Sequence, residues 1–137
     1  MTALSALLAE NPSDHSGVYQ LPADVSDDVV AEVVAGAGWR LVVADTSNSD
    51  DKRAVLGDFQ AAFGFPDWFG KNLDALVDAL RDLDEPGAVL LWRGGDQLEV
   101  NDADDYRRIL AVLRDRAQAD SPARLVTLLG SRTARTE

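Results

Sequence analysis

Asp74, Asp78 and Asp82 recur every fourth residue, with Arg81 among them, and they are the most concentrated chemical feature of this chain. At about 3.6 residues per turn they share one side of a helix, while Leu73, Leu76, Val77, Leu80 and Leu83 gather on another. Carboxylates one turn apart can act as a glycosidase pair, hold a hard divalent cation, or meet a cationic partner through charge-assisted hydrogen bonds. The first two uses need a pocket and a strongly perturbed pKa, and an exposed helix face predicts neither. The plain alternative is the solvated side of an amphipathic helix. Placement fits that alternative imperfectly. Asp74 suits the first turn, but Asp78 is mid-helix and Asp82 sits in the last turn, where the helix dipole favours cations. With repulsion between like charges at i, i+4, the local cost is about 1 kcal/mol, enough to hint at binding and no more.

Other reactive constellations are missing from the sequence. There are no cysteines, so disulfide and thiolate chemistry are excluded. His15 is the only histidine and lies in a turn-rich N-terminal stretch, which leaves neither a zinc site nor a Ser-His-Asp triad to be expected. No P-loop or GxGxxG occurs, and Gly94-Gly95 alone is a common loop signal. We therefore expect no catalytic residue, cofactor or metal. Of the aromatics preceding the acidic helix, Trp68 and Phe69, one ring is expected to pack beneath the turn and the other to be free for a protein partner.

The balance of 24 acidic against 13 basic residues gives a formal net charge of −11. Such a surface repels nucleic acid and anionic membranes and accelerates encounter with basic proteins. The N-terminus carries no basic residue before its short apolar run, so it does not read as a secretory signal. No window approaches the roughly 20 apolar residues of a membrane span. A cytoplasmic protein, monomeric when free, is the expectation.

Alternating elements must position these residues. Gly17–Leu21 reads as a short strand, followed by a helix capped by Ser26 and ended at Gly36 or Gly38. Arg40–Asp45 is a buried strand. Val55, Leu56, Phe59, Ala62 and Phe63 mark an amphipathic helix closed by Gly64. The acidic helix starts near Asn72, and Pro86-Gly87 turns the chain into the strand Ala88–Trp92. Gly94-Gly95 then opens a loop rich in acids (Asp96, Glu99, Asp102, Asp104, Asp105). A long helix from about Asp102 and the strand Arg124–Leu129 complete the pattern. Strands alternating with helices imply a mainly parallel sheet.

Residues 66–80, PDWFGKNLDALVDAL, followed after a turn by VLLWR and later by Leu113-Arg114-Asp115 before an apolar strand, resemble the barstar family, intracellular inhibitors of secreted microbial ribonucleases. The resemblance covers Trp39 to Gly130. It implies an α/β fold in which three parallel strands carry packed helices. It also implies that the acidic helix and the loop before it enter a basic active site. Trp68 takes the place of a contacting tyrosine, Asp74 and Asp78 match two inhibitory carboxylates, and Asp115 falls where the family uses a glutamate. Departures are Val77 and Leu83 in place of aromatics, Arg81 inside the contact face, and Asp82 in place of a glycine. The prototype pair of that family is itself the usual illustration of electrostatic steering and charged hot spots.

The resulting expectation is one domain over residues 1–130, with 39–130 as its barstar-like core and 131–137 as a flexible tail. Residues 1–38 should add a strand-helix unit, placed at the sheet edge beside Arg40–Asp45. The expected partner is a basic secreted ribonuclease or a related nuclease toxin, bound through Trp68, Asp74, Asp78, Arg81, Asp82 and Asp115. The alternatives are a non-inhibitory acidic interaction module, contacting basic proteins through Asp96–Asp105, or an antitoxin for a different basic nuclease.

Overall fold

Short polar side chains begin most of the helices. The structure, a computed structural model, describes residues 18–21, 25–66, 70–83, 87–119 and 123–130. Trp68, His15 and the tail 131–137 lie outside them. Helix α1 (Asp27–Gly36) is capped by Ser26, whose hydroxyl accepts from the Val29 N–H. Asp51 does the same for α2 (Lys52–Phe63), Asn72 for α3 (Leu73–Arg81) and Asp102 for α5 (Ala103–Ala117). Each such bond satisfies an otherwise orphaned backbone donor and stabilises the helix by about 1 kcal/mol.

Between the helices run β1 (Val18–Gln20), β2 (Arg40–Asp45), β3 (Gly87–Arg93) and β4 (Arg124–Gly130). They form one fully parallel sheet in the order β1-β4-β3-β2. Strand β3 is buried at every position, as expected of a central parallel strand covered on both faces. On one face Val42, Ala88, Leu90, Trp92 and Leu125 meet α2, α3 and α5. On the other, Val89, Leu91, Val126 and Leu128 meet Val30 and Val34 of α1.

The N-terminal strand-helix unit is present, but β1 is not beside Arg40–Asp45. It pairs with β4 at the opposite edge, Val18 opposite Thr127 and Gln20 opposite Leu129. Right-handed crossovers explain the difference. The steps β2 to β3 to β4 run in one direction and place α2–α5 on one face. A strand added beside β2 would step the same way and place α1 on that face too, leaving Val89, Leu91, Val126 and Leu128 without its cover. Starting from the β4 edge reverses the step and sends α1 across the other face.

A second correction concerns the expected acidic loop after Gly94. Residues Gly95–Asn101 form a short helix, α4. It shows little helical periodicity because Leu98 is its one buried hydrophobic residue, while Val100 is exposed. The Gln97 amide ties it to Asp50 at 2.7 Å. Trp92 is fully buried, its indole N–H donating to Thr46 Oγ1 at 2.8 Å, and Trp39 sits half-buried at the rim of the second cluster. Among the described residues no helix is long and apolar enough to cross a membrane.

Candidate functional site

The Gly-Lys-Asn segment of the motif determines where α3 begins. Asn72 Oδ1 accepts from the Ala75 N–H at 2.8 Å. A Cβ at Gly70 would stand 2.9 Å from Asn72 Nδ2, the group that donates to the Gly70 carbonyl. Glycine therefore leaves room for the capping side chain. Lys71 between them has φ 54°, a left-handed conformation that costs a non-glycine residue about 1 kcal/mol. Sequence spacing gave no sign of this strain, because position 71 looks unconstrained in the motif.

Leu76 and Leu80 on α3 are fully enclosed and Ala79 nearly so. Burying one leucine contributes roughly 2 kcal/mol, so this face holds the helix firmly against the core. Asp74, Asp78, Arg81 and Asp82 are all exposed. Arg81 Nη1 donates to Asp78 Oδ1 at 3.0 Å, with side chains 69% and 66% exposed. An ion pair so open to water contributes only a few tenths of a kcal/mol. Asp82 is the C-cap residue, just beyond the last helical turn.

Val77 does not join the buried face with which its spacing grouped it. It is 40% exposed. At about 100° per residue it lies on the flank between Leu80 and Arg81. There it faces α5, which packs beside α3. A cleft of about 430 Å³ opens between the two helices, lined by Val77, Leu80 and Arg81 from one and Val112, Asp115 and Arg116 from the other. Arg81 and Asp115, separated by a strand and a helix in the chain, thus share one surface feature. Asp78 joins them through its bond to Arg81. Asp74 shares the exposed side of α3. Trp68 lies outside the described residues.

Arg116 was not singled out from the sequence. Its side chain is buried, Nε donating to the Leu80 carbonyl at 2.8 Å and Nη2 to the Ala123 carbonyl at 2.7 Å. It therefore ties the end of α3 to the start of β4. Burial lowers its pKa from the usual arginine value. A signal existed: Arg116 falls seven residues after Ile109 and three after Leu113, on the core stripe of α5, where a cation needs a reason.

The other acid-rich segment is largely committed. Asp102 caps α5, Asp104 pairs with Arg107, and Asp105 pairs with Arg108 at 2.8 Å. Among the described residues no group of three or more His, Asp or Glu side chains converges as metal ligands.

Residues 39–129 match the family described as barstar (barnase inhibitor). No curated protein matches the chain. Among solved structures, that of the Aeropyrum pernix ORC2 protein in ADPNP-ADP complexes is similar, with a TM-score of 0.59 and 16% identity. The match covers 96% of this chain and 39% of that one. At that identity the likeness concerns the fold alone. The family match runs from the residue before β2 into β4 and takes in α3, α5 and every candidate residue between them; the chain belongs to the barstar family.

Proposed function

We propose that this protein is a cytoplasmic inhibitor of a guanyl-specific microbial ribonuclease, and that the outer side of α3 plugs the basic active site of that enzyme. The observation that carries this reading is the exposure of both Asp74 and Asp78 on a helix whose opposite side is anchored by Leu76 and Leu80. A ribonuclease site gathers Arg, Lys and His to hold a phosphate and its developing charge. A carboxylate held rigidly in that place makes charge-assisted bonds to the same groups and offers no scissile bond. The formal net charge of −11 speeds encounter with a basic enzyme, effects for which the prototype pair of this family is the usual illustration. It also disfavours self-association, in keeping with a monomer before the partner arrives. Trp68, Arg81, Asp82 and Asp115 frame the contact. The protein itself performs no catalysis in this reading.

The test is titration into a fluorogenic RNA-cleavage assay with several small guanyl-specific microbial ribonucleases. Stoichiometric loss of activity is expected. Asp74→Ala and Asp78→Ala are each expected to weaken inhibition at least tenfold, about 1.4 kcal/mol, while leaving unfolding stability within about 0.5 kcal/mol of the parent. Unchanged affinity in both variants sinks the proposed contact face. Binding to basic proteins that depends on the Asp96–Asp105 segment instead would favour a non-inhibitory interaction module. The commitment of Asp102, Asp104 and Asp105 to a cap and ion pairs weighs against that second reading.

A further inference from the structure

The cleft between α3 and α5 combines two features that surface grooves seldom share. Its walls include the aliphatic side chains of Val77, Leu80 and Val112. Arg116 lines it too, and this residue is only 9% exposed. Two of the three Arg116 guanidinium nitrogens donate to backbone carbonyls, while Nη1 is buried with no hydrogen-bond partner among the described residues. Those carbonyls are neutral, and the ion pairs among the described residues do not include Arg116. A buried polar group without a partner is uncommon in folded proteins and calls for an explanation, and a buried cation without a counter-charge more so.

We propose that the α3–α5 cleft is a carboxylate subsite, filled by a glutamate side chain of the protein that covers α3. The proposal rests on the reading of α3 as the covered face, with which the cleft is continuous through Arg81. A volume of about 430 Å³ accommodates one side chain. The two methylenes of glutamate suit the aliphatic walls, and its carboxylate supplies the counter-charge that Arg116 lacks among the described residues. Asp115 also lines the cleft and repels an anion. It is exposed, however, so water screens its charge, whereas Arg116 acts from a buried position where screening is weaker. Arg81 is already bonded to Asp78 and adds little net charge. On a surface that otherwise attracts cations, such a subsite would select among basic partners, admitting one that carries an acid at the matching place.

The experiment uses the free protein, so its outcome is independent of whether any ribonuclease is inhibited. Butyrate, butyramide and butylammonium are titrated while NMR follows the Arg116 Nε–H and the methyl groups of Val77, Leu80 and Val112. Butyrate is expected to shift these signals saturably, with a Kd on the order of 10 mM for so small a ligand. Butyramide should bind at least tenfold more weakly and butylammonium not at all. Ala119→Trp, an exposed position on the cleft wall, should abolish the butyrate shifts while Arg116 keeps its backbone bonds. Absence of a saturable shift with butyrate overturns the proposal. So does butyramide binding as well as butyrate, or butyrate binding that survives Ala119→Trp.

Discussion

Arg81 is the residue that most alters how the acidic face can work. Its bond to Asp78 occupies one of the two carboxylates proposed to enter the ribonuclease site, so a partner must break or share that bond. Because the pair is open to water and weak, breaking it costs little. Arg81→Gln is therefore expected to free Asp78 and make the formal net charge one unit more negative than −11. Stopped-flow measurements should show association with a basic ribonuclease about two- to fivefold faster at low salt, the gain fading as salt rises. A slower association would mean that Arg81 itself makes a favourable contact. Tyr106 is informative for a different reason. Burial, then the nearby charges of Glu99 and Asp96, raise its pKa above the usual tyrosine value, while Arg114 opposes them. A raised pKa means that the folded state resists ionisation. The associated stability is fully present below about pH 10 and is lost as pH rises through the folded-state pKa. Urea midpoints measured from pH 9 to 11 should fall for the parent protein and fall less steeply for Tyr106→Phe. Tyr19, raised by burial as well, should leave a residual slope.

At the scale of elements, α2 and α3 sit on either side of the loop that carries the motif. Phe59, Phe63 and Phe65 extend an aromatic run from Trp92 toward that loop: Phe59 meets Trp92 edge-on at 5.1 Å, and Phe63 stacks on Phe65 at 5.0 Å. The loop is thus anchored to the core at its start and by the Asn72 cap at its end. Helix α2 carries one internal weakness, Gly57. A Cβ there would lie 3.7 Å from the Lys71 side chain, an ordinary contact. Gly57→Ala should therefore stabilise the protein by about 0.5–1 kcal/mol through helix propensity, read as a higher urea midpoint with an unchanged m-value. Destabilisation would show that Lys71, already held at positive φ, cannot yield even slightly at this contact. The helix boundaries were largely legible in the sequence. Ser26, Asn72 and Asp102 cap their helices through side-chain bonds to N–H groups three residues on, which is local chemistry.

For the whole molecule, the decisive feature is that α1 covers the sheet face opposite α2–α5. Arg93, at the end of β3, donates through Nε to Asp27 Oδ1 at 2.7 Å and through Nη2 to the same oxygen. This pair joins the N-terminal unit to the central strand. The side chain of Arg93 is 10% exposed and that of Asp27 is 49% exposed. Removing the acid leaves a mostly buried guanidinium without this partner, a loss that the exposure of Asp27 moderates. Asp27→Ala is expected to cost about 1 kcal/mol in urea unfolding, whereas ribonuclease inhibition should persist because α3 lies on the other face. Loss of inhibition together with stability would show that the N-terminal unit and α3 are coupled.

What the sequence determined by itself were the features set within one or two turns of chain: helix starts, the buried stripes of α2 and α5, the apolar strands β3 and β4, and the motif that marks α3 as the candidate site. Arg40–Asp45, expected to be buried, is instead the edge strand β2, with Arg40, Val43 and Asp45 exposed. Capping bonds and 3.6-residue periodicity act over a few residues, so the residues that make them are visible together. What only the tertiary structure decided were relations between distant segments. The edge that β1 joins depends on the need to cover both faces of β3 and β4. The continuous apolar run Ala88–Trp92 implied that need without saying which connection would meet it. The exposure of Val77 depends on the cleft that is left between α3 and α5, and the burial of Arg116 on the carbonyls of Leu80 and Ala123 coming within its reach. The Arg93–Asp27 pair spans 66 residues. Two residues that far apart become partners only once the sheet has formed and α1 has crossed it.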